Sequence, residues 1–368
     1  MSQNHEPRKS PVNKTVTGET KKKNRKLQAA LVLTLCILAV LIALVYAYYS
    51  GKLSLLQHSD GTVEVEGTID ETEEDVRADA AEMEQQTSDL EEREVVQAEG
   101  EIFGDDDVFN ILLIGTDERT KEFNTNARGD SCMLLSINKK DGNIRLVSFE
   151  RGMGVPILAG QYQGQYDWLT HTFRYGGADL MMQEIRECFK VDVTRYVRVN
   201  FATFEQIINS VGGVDIELSE LEYFGLTNQV RTNAVAKADV HVGMNHLDGY
   251  DALQYARLRY IDNDWHRIER QRDVMQSVFQ QLKKLNLLEL NSLLDEVLPL
   301  VQTNLTDGDI TNLLLLAPKL MNAEIMEKTI PESGTYGSMT GMGGRSMFAV
   351  DFAQNAQILK DFLYAGAA

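Results

Sequence analysis

VFNILLIG at residues 108–115, SCMLLSIN at 131–138 and NIRLVSF at 143–149 decide how this chain folds. Each is a short run of apolar and β-branched residues bounded by turn formers such as Lys140-Asp141-Gly142, and such runs read as strands. The first two are apolar almost without interruption, the pattern of strands covered on both faces. Downstream, Leu180, Met181, Ile185 and Phe189 mark a helix over 178–189, and 195–199 reads as a strand. Phe204, Ile207, Ile208 and Val211 mark a helix over 201–211 that Gly212-Gly213 stops, and 214–218 is again a strand. Residues 220–246 look irregular and polar. Helices are predicted over 248–258, 264–285, 287–302 and 308–321, a late strand over 325–330 and a closing helix over 351–363. Strands alternating with helices predict one α/β domain over 108–368, a three-layer α-β-α arrangement with a central mixed sheet flanked by helices. No internal repeat and no second domain boundary are visible.

Upstream the character changes. Residues 62–107 hold nineteen acidic residues, two basic ones and a single aromatic, Phe103. Such a segment repels itself and has little to bury, so 50–107 is expected to be a solvated extracellular stalk. Val76, Met83, Leu90 and Gln97 repeat every seven residues, a spacing compatible with a short self-associating helix. Leu27–Tyr49 is 23 residues without a charge. As a helix at roughly 1.5 Å per residue it would span about 34 Å, enough for the hydrocarbon core of a bilayer. Lys21, Lys22, Lys23, Arg25 and Lys26 precede it, which places a basic tail, 1–26, in the cytoplasm. Tyr46, Tyr48 and Tyr49 suit the far interface. A cleaved signal peptide would have a shorter apolar core and a small-residue exit, so the run is expected to be a single uncleaved anchor at the cell membrane.

The net charge of −19 divides into +6 over residues 1–26 and −25 over everything after the apolar run. Nothing in that acidic body offers the broad basic face that nucleic acid requires. Three cysteines do not make a disulfide framework. Cys36 lies in the anchor, while Cys132 and Cys188 read as isolated buried thiols, with a bridge between them left open.

Common catalytic signatures, among them G-x-S-x-G, H-E-x-x-H, a phosphate-binding P-loop and C-x-x-C, are missing. What stands out is arginine and aspartate packed into short blocks. Gly115-Thr116-Asp117-Glu118-Arg119 follows the first strand and Arg128-Gly129-Asp130 precedes the second. Strand ends of an α/β sheet commonly face the ligand crevice, and two carboxylates there suit Mg²⁺; equally, the aspartates could form turns and pair with the neighbouring arginines. Five arginines crowd 257–272, among them Arg257, Arg259 and Arg267. Arg267 and Gln271 stand one turn apart on the stripe that carries Met275, Val278 and Leu282. A buried Arg needs a polar partner, and Asp264 is the nearest candidate. The residues alone leave a phosphate grip and a solvated basic face both open. His171 reads as a packed, hydrogen-bonded residue. The leucines of 285–321 read as core, or as the wall of an apolar tunnel.

Taken in order, NILLIGTDER, RGDSCMLLSIN, SFER, THTFRYGGA, VNFATFEQIINSVGGVDIEL, GMNHLDGYDALQYARLR and DWHRIERQRDV resemble the LytR-CpsA-Psr family over about residues 108–365. The resemblance implies an enzyme that transfers a glycopolymer, such as teichoic acid or capsule, from a polyprenyl-pyrophosphate carrier to peptidoglycan with Mg²⁺ (or Mn²⁺). It implies metal at Asp117 and Asp130, and pyrophosphate at Arg119, Arg128, Arg151, Arg257, Arg259 and Arg267. Asp264 and Gln271 would join Arg151, Arg257, Arg259 and Arg267 in catalysis. The chain departs from the family's pattern at Glu150, where Pro is usual, and at Gly152, where Asp is usual. It departs again at Trp168 and Thr170, which replace Lys and Asn. Gly152 keeps a carrier-lipid hydrolase or a weakly active homologue as alternatives, and the acidic stalk keeps a non-enzymatic wall-binding or regulatory protein. Arg272 matches no family position and is expected to be exposed.

Overall fold

The computed structural model describes residues 51, 54–62, 73–118, 122–124, 127–228, 236–237, 239–259, 261–320 and 323–364. The predicted anchor, 27–49, and Arg119 lie outside the described residues. Among the described residues, no helix is long and apolar enough to cross a membrane.

In chain order the strands are β1 (Gln57–His58), β2 (Val108–Thr116), β3 (Ser131–Asn138), β4 (Ile144–Phe149), β5 (Gly154–Pro156), β6 (Tyr166–Trp168) and β7 (Tyr196–Asn200). They continue as β8 (Val214–Leu218), β9 (Gly243–Leu247), β10 (Gln302–Thr303), β11 (Ile325–Ile330), β12 (Tyr336–Thr340) and β13 (Ser346–Val350). The helices are α1 (Glu73–Thr87), α2 (Leu169–Phe189), α3 (Phe201–Ser210), α4 (Glu220–Thr227), α5 (Gly249–Arg257), α6 (Asp264–Leu282), α7 (Leu287–Val297), α8 (Asp307–Leu320) and α9 (Phe352–Tyr364).

Seven strands form one mixed sheet in the order β1-β10-β7-β2-β3-β4-β11. The pairing β2·β3·β4 is antiparallel, while β7 joins β2 and β11 joins β4 in parallel. The near-continuous apolarity of β2 and β3 has the expected cause, because helices cover both faces of the sheet. On one face Leu112, Ile114, Leu134 and Val147 belong to a core completed by Phe173, Ile185 and Phe189 of α2 and by Phe352 and Leu359 of α9. On the other, Phe109, Ile111 and Ile137 pack with Leu305 and with Leu313 and Leu316 of α8. Part of the leucine-rich 285–321 stretch is therefore core, through Leu305, Leu313 and Leu316, while Leu288 and Leu315 are exposed. Helix α2 starts earlier than its apolar spacing suggested and is broken at Gly176-Gly177, where Gly177 takes φ 68°, a conformation glycine adopts without steric cost.

The segment expected to stand off as a stalk instead lies on the domain. Met83 of α1 is 1% exposed within the main core, and Leu90, Val95 and Ala98 pack against it. The Arg93 and Val96 amides donate to the Ser338 and Val350 carbonyls, at 3.0 and 3.3 Å, and Phe103 exchanges backbone hydrogen bonds with Lys190 and Asp192. The charge count averaged away a few apolar side chains that suffice to dock the segment. The 220–246 stretch likewise holds more order than its polarity suggested. Ser219 and Glu222 form a capping box that starts α4, and β9 pairs antiparallel with β8. Cys132 and Cys188 are buried free thiols.

Glu184 of α2 is fully buried, and its one described partner is the Leu158 amide, which donates to it at 2.7 Å. Burial pushes its carboxyl up to about 8. A carboxyl raised on folding favours the native state below its unfolded pKa, and that contribution is lost as pH rises through about 8. Glu184→Gln should therefore melt higher than the parent at pH 9, with a much smaller difference at pH 5. Equal melting shifts at the two pH values would contradict this.

Candidate functional site

A cavity of about 510 Å³ lies between the sheet and helices α3, α5 and α6. Its walls are apolar: Met133 and Val199 from the sheet, Phe204 and Ile207 from α3, and Val274 and Val278 from α6. Three N-caps fix those helices. Asn200 and Thr203 cap α3 reciprocally, Asp248 caps α5 through the Asp251 amide, and Asn263 caps α6 through the His266 amide. Among the described residues, Val301 is the one position of 285–321 that lines the cavity and none of α7 or α8 does, so the wall is built chiefly by the sheet, α3 and α6.

One end of the cavity is charged. Gly115 pairs with Ser131 across β2 and β3, so Asp117 and Asp130 emerge at the same edge of the sheet. Asp117 accepts from the Arg128 amide at 3.0 Å and from its Nε at 3.3 Å, which pins the loop that ends in Asp130. Thr170 Oγ1 donates to Asp130 at 3.2 Å, and Arg128 lies 3.6 Å from it. Burial, and then the charge of Asp130, raise the Asp117 carboxyl above its usual range. Burial opposes ionisation of Asp130 too, but Arg128, Arg151 and Arg267 outweigh it and hold that carboxyl low.

From the other side come Arg259 and, on α6, Arg267 and Gln271, all lining the cavity with Arg128 and Arg257. Arg267 pairs with Asp264 at 3.0 Å, the partner its position called for. Gln271 accepts from Ser131 Oγ at 3.0 Å. The Arg257 guanidinium sits 4.4 Å from the centre of the Phe201 ring. Arg151 and Asp264 do not line the cavity but support it. Arg151, 4% exposed, pairs with Asp264 at 3.4 Å. Burial and the adjacent Asp264 charge drive the Glu150 carboxyl well above its ordinary range. The remaining arginines of the late block are spoken for: Arg270 by Asp262 at 2.6 Å, and Arg272 by Thr329 Oγ1 at 2.7 Å and Glu327 at 3.5 Å. Arg272, expected to be exposed, is thus tied to β11.

Asp79 and Glu82 of α1 were not foreseen. Asp79 accepts from Arg259 at 2.7 Å and Arg151 at 3.4 Å and also pairs with Arg128. Glu82 pairs with Arg151 at 3.0 Å and with Arg259. Only the heptad spacing through Met83 hinted at an ordered helix. His171 packs against Trp168 and meets Asp167 at 3.1 Å, away from the cavity.

Asp117 and Asp130 offer only oxygens, and the charge of Asp130 raises the proton affinity of Asp117. Among the described residues they belong to no cluster of three or more His, Cys, Asp or Glu placed for a metal. A cation held there would draw its other oxygens from water or a ligand phosphate, a common arrangement for Mg²⁺.

Guanidiniums around the mouth of an apolar cavity suit an amphiphile with an anionic head. The chain belongs to the LytR_cpsA_psr family, whose sequence profile matches residues 72–362. It is 29% identical over 226 residues to polyisoprenyl-teichoic acid–peptidoglycan teichoic acid transferase TagT of Bacillus subtilis, a match that covers 61% of this chain and 68% of that protein. Against the corresponding transferase TagU of Bacillus cereus it is 33% identical over 203 residues, 54% of this chain and 60% of the relative. Among solved structures, TagT bound to LIIa-WTA superposes with a TM-score of 0.56 at 26% identity, covering 73% of this chain and 98% of that one. TagT with bound octaprenyl pyrophosphate lipid gives 0.52 at 25% identity, over 73% and 98%.

Removing the charge of Asp264 leaves Arg151 and Arg267 buried with less compensation, and breaking one side of a buried ion pair costs roughly 3–5 kcal/mol. Asp264→Asn should lower the unfolding free energy by about that amount in a urea titration. A midpoint equal to that of the parent would show that the arginines do not depend on it.

Proposed function

We propose that this protein transfers a glycopolymer from a polyprenyl-pyrophosphate carrier to peptidoglycan. The observation that carries this reading is the arrangement of arginines at the mouth of an apolar cavity, which matches a pyrophosphate head on a prenyl tail. It is supported by relatives named as teichoic acid transferases and by the related TagT structure that holds octaprenyl pyrophosphate.

In this reading Arg257, Arg259 and Arg267 grip the pyrophosphate, with Arg128 at the cavity and Arg151 behind it; Arg119 would add to the same set. An acceptor sugar hydroxyl attacks the phosphorus that carries the glycopolymer. The bond from that phosphorus to the bridging oxygen breaks, and polyprenyl monophosphate leaves with the bridging oxygen. Charge grows on that oxygen, and fixed guanidiniums in a partly water-excluded site stabilise it without reorganising. The hydroxyl proton goes to a carboxylate, Asp117 or Asp130, whichever is not taken up by metal. Asp117 and Asp130 would also hold Mg²⁺ (or Mn²⁺), which would supply further neutralisation of the pyrophosphate. Asp264 and Gln271 position Arg267 and the start of β3. The chemistry needs a lipid-borne substrate, so we place the domain at the outer face of the cell membrane, behind a single anchor at 27–49 with the N-terminus in the cytoplasm.

Turnover of a polyprenyl-pyrophosphate-linked sugar with peptidoglycan and Mg²⁺ tests the site. Charge-assisted hydrogen bonds are worth roughly 1.5–3 kcal/mol, so Arg257→Ala, Arg259→Ala and Arg267→Ala should each lose about tenfold to a hundredfold. Lys at these positions should rescue poorly, since a point charge cannot reproduce the planar fork. Asp117→Ala and Asp130→Ala should raise the Mg²⁺ concentration needed for half-maximal rate. Full activity in all five Ala variants would remove the assignment.

The topology is checked separately. Protease added to intact protoplasts should digest the domain and spare the first residues, and complete protection of the domain would refute an outward-facing anchor.

A further inference from the structure

The pyrophosphate mouth is already filled, by the chain's own acidic helix. Asp79 is 3% exposed and lines the cavity itself, and with Glu82 it engages Arg128, Arg151 and Arg259. These are three of the guanidiniums assigned above to the substrate. Resting on that assignment, we propose that α1 is a displaceable anionic occupant, an intramolecular stand-in for the pyrophosphate that the carrier lipid must evict.

Local charge supports an occupant over a permanent wall. Arg128, Arg151 and Arg259 pair with Asp79 and Glu82, so moving those two carboxylates away leaves the mouth two charges more positive, the complement of the two negative charges on a pyrophosphate diester.

The grip on α1 is also of the right kind. Among its described side chains, 79–87, Met83 is the single large apolar one, so ion pairs do most of the holding, and an incoming anion competes for them directly. The end of the Met83 side chain packs against Gly152. A Cβ at Gly152 would lie 2.0 Å from Met83 Cε and 2.7 Å from its Sδ. This is the position where the family resemblance leads one to expect Asp. The loss of that side chain and the seating of α1 are thus two sides of one packing arrangement.

An occupant that fills the site most of the time lowers apparent substrate affinity by the fraction of time the site is open. The test uses the full-length protein in detergent and geranylgeranyl pyrophosphate as probe. The double variant Asp79→Asn/Glu82→Gln should bind about tenfold or more tightly than the parent, and Arg259→Ala should weaken binding about tenfold to a hundredfold in both backgrounds. In the parent, saturating probe should speed hydrogen exchange of the 79–87 amides, a readout that needs no variant and so survives a double variant that fails to fold. Equal or weaker binding by the double variant, with the Arg259 dependence intact, overturns the occupant and leaves the pyrophosphate site standing. Unchanged or slower exchange on saturation overturns it as well. Binding that ignores Arg259 altogether sinks the pyrophosphate site and the occupant with it.

Discussion

A guanidinium that is nearly sealed from water must keep carboxylates against it, because an uncompensated charge in a medium of low polarity costs several kcal/mol. Arg151 is in that position, 4% exposed and ringed by Asp79, Glu82 and Asp264. Much of the site follows from meeting that demand. Asp264 serves Arg151 and Arg267 together, which sets the first turn of α6 against the edge of the sheet. Glu150 sits beside Asp264 with its carboxyl pushed well above its ordinary range by burial and the Asp264 charge, and its Oε2 accepts from the Gly152 amide. One buried arginine thereby couples β4, α6 and the acidic helix.

The sheet supplies what the ion pairs alone could not, which is direction. Because β2 and β3 run antiparallel with Gly115 opposite Ser131, the residues that follow one strand and precede the other meet at one edge. The parallel neighbour β7 ends at the same edge, where Asn200 caps α3. Carboxylates and arginines therefore converge at one end, while Val199, Met133 and the inner faces of α3 and α6 line the apolar remainder. A polar head and an apolar tail are accommodated by a single boundary in the fold.

The centre of the sheet was legible in the sequence because strands covered on both faces write themselves as nearly unbroken apolar runs, as β2 and β3 do, while β7 and β8 were located by alternation of apolar with polar residues. The late arginine block was legible for another reason: Asp264, Arg267 and Gln271 recur at helical spacing at the head of an apolar stripe, and a buried arginine needs a partner. Other parts were not. The hairpin of β12 and β13 consists of two five-residue strands (YGSMT and SMFAV) in a glycine-rich surrounding that reads as loop, although Met347 and Phe348 are wholly buried. Arg272 reads as surface until β11 supplies Thr329 and Glu327. Helix α1 was hidden by composition, since a count of charge over 62–107 weighs each carboxylate alike and cannot show that Asp79 and Glu82 meet arginines from residues 128, 151 and 259.

Net charge and local charge answer different questions here. The −19 of the whole chain is a long-range quantity, screened over roughly 8–10 Å at physiological ionic strength, and it bears on broad partners such as nucleic acid. Recognition of one anionic head is decided within a few ångströms, where a buried pair is screened far less. Five arginines gathered at a single mouth can therefore form a cationic site on a strongly acidic protein, provided the acidic residues near them are few or can be moved aside. Asp117, Asp130 and Asp264 are fixed by strand ends and a helix start. Asp79 and Glu82 stand on a helix whose described side chains, 79–87, include one large apolar one, Met83, so the same excess of carboxylates that makes the body acidic also supplies the two charges that can leave.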